Sequence, residues 1–262
     1  MIVFYLISCL VVFSPLELNA HPYKNPQREI TIVDIPDIVK TDPKYRIDCA
    51  PDIDEYRSFC GLNLSKNRTT NVTNSVCTAR GCVWDPNSGL NITTCYIPLE
   101  KGGYGLVGEP NVLSNTTTRY TLNRQAISTT NDVSLFNRDI DDLDVQVSIS
   151  DVNMARMTIR DTSSQRYEVP VPIRWNPLVS SAMPARIQFQ MTKTTNGQVG
   201  FRVRRTNTQS IIFDTTFFAN GFIYDNNFHQ FVTTIPSRNI YGQSSSSPID
   251  LSYAHHALFF HI

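Results

Sequence analysis

Along the second half of the chain, apolar residues fall at every other position. Leu143, Val145, Val147 and Ile149 share one parity, with Asp144, Gln146 and Ser148 opposite. Met157 and Ile159 alternate with Arg156, Thr158 and Arg160, and Ile187, Phe189 and Met191 with Arg186, Gln188 and Gln190. Phe201 and Val203 alternate with Arg202 and Arg204. A period of two sends one set of side chains to a covered face and the other toward water, so each run predicts a half-buried β-strand. Turn chemistry separates the runs. Asn196-Gly197 favours positive φ and a tight hairpin. Thr206 to Gln209 predicts a second turn, leading into Ile211, Ile212 and Phe213. Pro170, Pro172 and Pro177 break the chain between runs, because proline cannot donate to a central ladder. No window carries a helical apolar stripe. The fold class this implies is mostly β, with an antiparallel β-sandwich over 104–242.

The first hundred residues read differently. Ile2 to Phe13 is an apolar run too short for a membrane span, which takes about 20 residues. It fits the apolar region of a signal peptide ending near Leu18-Asn19-Ala20, with an uncleaved anchor or a buried N-terminal strand as alternatives. Five Asn-x-Ser/Thr sequons occur, at Asn63, Asn67, Asn71, Asn91 and Asn115. Sugar cannot be buried, so a segment carrying several of them is an exposed loop. The five cysteines outside the leader all lie between Cys49 and Cys95. In an exported chain such clustering predicts a disulfide framework rather than a metal site. These features place the protein outside the cell or in the lumen of the secretory pathway. Charge is balanced at 23 basic and 23 acidic residues, and no Lys/Arg cluster provides a footprint for nucleic acid. The length accommodates one small module and one medium domain, but not a (β/α)8 barrel of about 250 residues besides.

Arg46-Ile47-Asp48-Cys49-Ala50-Pro51-Asp52, Cys77 to Trp84 and Cys95-Tyr96-Ile97-Pro98 together resemble a trefoil (P-type) module. Further runs follow in order. They are Phe136 to Asp141, Thr158 to Asp161, Arg166-Tyr167-Glu168-Val169-Pro170, Ile212-Phe213-Asp214-Thr215, and Ile235-Pro236-Ser237 to Ile240-Tyr241-Gly242. The ordered set resembles the front of the α-glucosidases of glycoside hydrolase family 31. That resemblance implies a signal peptide over 1–20, a linker over 21–45, a trefoil with a glycosylated insertion over 46–98, a galactose-mutarotase-like sandwich over 104–242 and a divergent Ser-rich tail over 243–262. It also implies the bridges Cys49–Cys82 and Cys77–Cys95, with Cys60 left as an unpaired thiol. A rival alignment makes Cys60 the second cysteine and Cys49 the first, leaving Cys49 unpaired. Trefoils hold sugar partly through a Trp before the last cysteine; here that position is Thr94, and Trp84 is the remaining candidate for glycan contact beside its usual packing role.

The resemblance stops at Gly242, ahead of the barrel that supplies the family's nucleophile, so the chain as it stands is expected to lack catalysis. Retaining hydrolysis needs two carboxyl groups about 5–5.5 Å apart. The only dense acidic group is Asp139, Asp141, Asp142 and Asp144, which reads as a solvated strand end and fails the calcium-loop spacing. His255, His256 and His261 are the residues a metal would use, but adjacent histidines in an extended segment point to opposite faces. No cofactor motif occurs. The readings this leaves are a non-catalytic accessory segment, the front of an active α-glucosidase, and a stand-alone glycan-binding protein. The partners implied are glycans and a protein docking on the face that a barrel would cover. Nothing in the sequence sets the oligomeric state.

Overall fold

The computed structural model describes residues 3–6, 9–12, 30–49, 73–88, 93–128, 139–151, 154–164, 185–225, 228–234 and 255–261. Calls on Cys60, on the sequons at Asn63, Asn67, Asn71 and Asn91, and on the runs 166–170 and 235–242 lie outside them. Val3–Leu6 (β1) and Cys9–Val12 (β2) form an antiparallel pair.

Two sheets build the larger part. Tyr104–Ser114 (β7), Thr117–Arg124 (β8), Asp142–Asp151 (β9) and Met154–Asp161 (β10) form a four-stranded antiparallel meander. The second sheet runs β14-β15-β13-β12-β11-β3, with β16 added on β15. Its strands are Thr31–Val33 (β3), Ile187–Thr194 (β11), Val199–Arg205 (β12), Ile211–Asp214 (β13), Ile223–Tyr224 (β14), Phe228–Thr234 (β15) and His255–His261 (β16). The alternating apolar residues of both sheets meet in one core: Leu143, Val145 and Val147 from β9, Met157 and Ile159 from β10, Phe189 and Met191 from β11, Phe201 and Val203 from β12. Facing sheets with interdigitated inner faces are a β-sandwich. Removing such side chains from water contributes roughly 1.5–3 kcal/mol each.

The second sheet is covered on both faces. Along β14 and β15 the side chains alternate between two cores: Phe222, Tyr224 and Phe231 join the sandwich, while Ile223 and Val232 join Phe218 against a smaller cluster containing all four bridged cysteines. A strand buried on both sides reads as a continuous apolar run, as Phe231-Val232 does. A 3-10 segment, Thr216–Gly221, lies over β12 and carries Phe218 into that second core. It approaches so closely that a Cβ on Gly200 would sit 2.5 Å from the Thr216 Cα.

Three features depart from the sequence reading. The stretch expected as a linker contributes β3, which pairs parallel to β11 (Thr192↔Thr31), so the sandwich is not wholly antiparallel. It also contributes Asp37–Thr41 (α1), whose Val39 is buried with Ile35 in the second core. Three residues are too few for an alternation to register, and a parallel partner so distant in sequence leaves no local signal. The expected tail contributes β16, which pairs with β15 along its full length.

Candidate functional site

The trefoil region is built on a three-stranded sheet, β4-β6-β5, made of Ile47–Asp48, Val83–Trp84 and Cys95–Ile97. One short helix, Asn74–Ala79 (α2), packs on it. Thr73 caps the helix by accepting from the Val76 amide. Gly81 ends it at φ +80, the left-handed position where glycine avoids a Cβ clash. Disulfides join Cys49 to Cys82 and Cys77 to Cys95, with Cα separations of 6.3 and 5.8 Å. These are the pairs the trefoil resemblance implies. The sulfurs of Cys49, Cys82 and Cys95 lie within 4.8 Å of one another. They are bridged sulfurs in contact at a small core, not thiolates available to a metal.

Trp84 pairs across the sheet with Cys95 and packs, partly buried, against the disulfide core. Arg46 stacks over the Tyr96 ring at 4.2 Å, and its Nη1 lies 2.8 Å from Asp85 Oδ2. The hydrogen bond from Arg46 holds the Asp85 carboxyl below the usual carboxylate range. Thr94, at the position of the family's sugar-contacting Trp, accepts the Asp85 amide through its carbonyl at 2.7 Å. This surface is organised for packing.

The junction between trefoil and sandwich is closely fitted. The Gln198 side chain, fully buried, donates Nε2 to the carbonyls of Leu99 (2.9 Å), Lys101 (3.2 Å) and Gly102 (3.4 Å), and its Oε1 accepts from the Thr194 hydroxyl. Gly103, at φ +70, leaves no room for a side chain: a Cβ there would lie 2.2 Å from the Ala219 carbonyl oxygen. A cavity at this seam has a volume of about 30 Å³ and is lined in part by Tyr104, Arg124, Asp139 and Asn220. That is room for a water or two; small-molecule sites run to about 300–1,000 Å³.

The acidic group forms a cross-strand ladder. Arg124 on β8 pairs with Asp139 (3.3 Å) and Asp141 (2.9 Å), Asn123 donates to Asp142 (2.9 Å), and Arg119 pairs with Asp144 (2.7 Å). Each carboxylate is thus tied to a basic or amide group on the neighbouring strand, a stabilising cross-strand arrangement. His255 and His256 sit side by side on β16, opposite Thr234 and Thr233, with His261 opposite Phe228. Asn115 is exposed in the turn between β7 and β8. Sequence reasoning missed Gln198, Gly103 and Asn220, although Gly102-Gly103 is itself a signal of close backbone approach.

Comparison with known proteins fits this arrangement. Residues 54–98 match the trefoil (P-type) domain family; β4 and Cys49, upstream of that match, belong to the same sheet and disulfide pair. The chain is 30% identical over 171 residues to intestinal sucrase-isomaltase of Oryctolagus cuniculus, covering 65% of this chain and 9% of that protein. It is 28% identical over 221 residues to lysosomal alpha-glucosidase of Rattus norvegicus, covering 80% of this chain and 19% of that protein. It is 26% identical over 169 residues to probable maltase-glucoamylase 2 of Homo sapiens, covering 63% and 6%. The chain therefore spans less than a fifth of the length of each of these relatives. It carries a trefoil (P-type) domain and is a relative of the glycoside hydrolase family 31 α-glucosidases, matching their N-terminal region.

Proposed function

We propose that the chain is a non-catalytic accessory segment of the secretory pathway, a trefoil and sandwich unit that docks on a partner domain of α-glucosidase type. The observation that supports this reading most is the extent of the match. It covers 65–80% of this chain, but only 9% of the rabbit protein and 19% of the rat one. The acidic ladder supports it too, since its carboxylates are engaged with Arg119, Asn123 and Arg124 rather than converging as an acid and a nucleophile. The disulfide framework suits an oxidising compartment, with residues 1–20 as a leader and the sequons as glycan sites. Among the described residues, no helix is long and apolar enough to cross a membrane.

A second reading rests on the relatives' own lengths: the segment is the front of an active α-glucosidase. Sequencing the transcript past the codon for Gly242 tests it, and an open frame running into a barrel is the outcome it requires.

Docking on a partner implies an apolar face left uncovered when the chain is alone. The purified chain is expected to enhance the fluorescence of anilinonaphthalene sulfonate and to elute broadly in size exclusion. A sharp monomer peak with no dye response contradicts the docking role.

A further inference from the structure

We propose that Asn115 carries an N-linked glycan that covers the outer edge of β7 and keeps two copies of the chain from pairing edge to edge. The proposal shares with the function above only the assumption of secretory routing. β7 is the last strand of the four-stranded sheet, so one side of it faces away from β8. Its inner end is occupied, because Gly105 bridges to Gln198. Its middle is protected by shape and charge. The pairing with β8 shifts register between Val107 and Asn111, Gly108 turns left-handed at φ +68, and Glu109 and Pro110 stand in the bulge. Bulges, charges and prolines are the devices by which edge strands avoid adding another chain.

Beyond the bulge none of these devices remains. Asn111, Val112 and Ser114 resume regular pairing with Arg119, Thr118 and Thr117, and Leu113 among them is 51% exposed. Val107, on the other side of the bulge, is 49% exposed. The neighbouring outward positions on this sheet are polar: Arg119, Thr121 and Asp144. The stretch from Asn111 to Ser114 is therefore a short unguarded edge with an apolar side chain in it, which is a template for a second strand. The sequon Asn115-Thr116-Thr117 begins at the next residue, in the exposed turn of the same hairpin. A bulky, strongly hydrated glycan tethered there stands beside the unguarded edge, as a gatekeeper placed where the sequence supplies no other.

The test uses the full chain expressed in glycosylating eukaryotic cells. Peptide mass spectrometry is expected to find Asn115 occupied. Size exclusion with light scattering is expected to show N115Q shifting to a higher mass that rises with concentration, relative to wild type. Adding L113K to N115Q is expected to restore the wild-type profile, which a misfolded variant would not allow. The other four sequons stay intact throughout, so the comparison reads this site alone. An unmodified Asn115 in wild type overturns the proposal, as does an N115Q profile identical to wild type. Association of N115Q that L113K does not reverse overturns the assignment to this edge. Turnover of an α-glucoside by the chain would refute the accessory reading and leave this one standing.

Discussion

Replacing Cys77 and Cys95 together by serine is expected to cost about 2–5 kcal/mol, which is what a small exported domain typically loses with a native disulfide. The geometry places this bridge at the centre of the smaller core. Both cysteines are buried, at 0% and 2% exposure, and the bond ties α2 to the central strand of the trefoil sheet. Serine at these positions adds hydroxyls that must find partners in an apolar setting. The effect is not confined to the trefoil, because its core is continuous with Phe218, Ile223 and Val232 on the sandwich. Trp84 packs on the cluster and reports its state by fluorescence, while far-ultraviolet circular dichroism follows the sheets. In urea, the double serine variant is expected to unfold at a lower midpoint by both probes. An unchanged midpoint would mean that the bridge holds nothing the packing does not already hold.

Asp214→Ala is expected to destabilise the chain by about 3–5 kcal/mol, the range for breaking a buried ion pair by removing one partner. Asp214 is 3% exposed. Its Oδ2 accepts from Arg202 Nε at 2.8 Å, its Oδ1 accepts from the Thr216 amide at 2.8 Å, and its carbonyl accepts from the Thr233 hydroxyl at 2.9 Å. Alanine leaves the Arg202 guanidinium, 17% exposed, and the Thr216 amide without their acceptor. The Thr216 amide also starts the 3-10 segment that carries Phe218 to the trefoil, so this carboxylate couples the two cores. Asp214→Asn keeps an acceptor for Thr216 and is expected to lose less. Replacing Asp214 by Leu and Arg202 by Met together is expected to recover part of the loss, since no charge is then stranded. Urea midpoints of the three variants check the order; equal losses for Ala and Asn would show that the contact to Thr216 contributes nothing.

What could be seen in the sequence was what depends on neighbours along the chain. The alternation at Leu143, Val145, Val147 and Ile149 is a local property of an extended backbone, and all four side chains are buried at 0–3% exposure. Asn196-Gly197 makes its turn because only the local dihedrals matter, with Gly197 at φ +93. What could not be seen depends on distant pairing. Asp142 and Asp144 were readable as one polar face, but not Asn123 and Arg119 opposite them, because register across a 17-residue connection leaves no local trace. The same holds for the parallel pairing of Thr31 with Thr192 and for Gln198 reaching three carbonyls of the segment that leaves the trefoil. In the candidate site, the cysteine pairs came from the likeness to trefoils, not from spacing. The packing of Trp84 on them, and the stacking of Arg46 on Tyr96, needed the structure.

The account stands or falls on whether this chain hydrolyses sugar. The folded, disulfide-bonded protein should be incubated with maltose and the glucose released measured against a protein-free blank. The accessory reading predicts release equal to the blank at every protein concentration. Release that rises in proportion to the amount of protein, and persists through further purification, would contradict it.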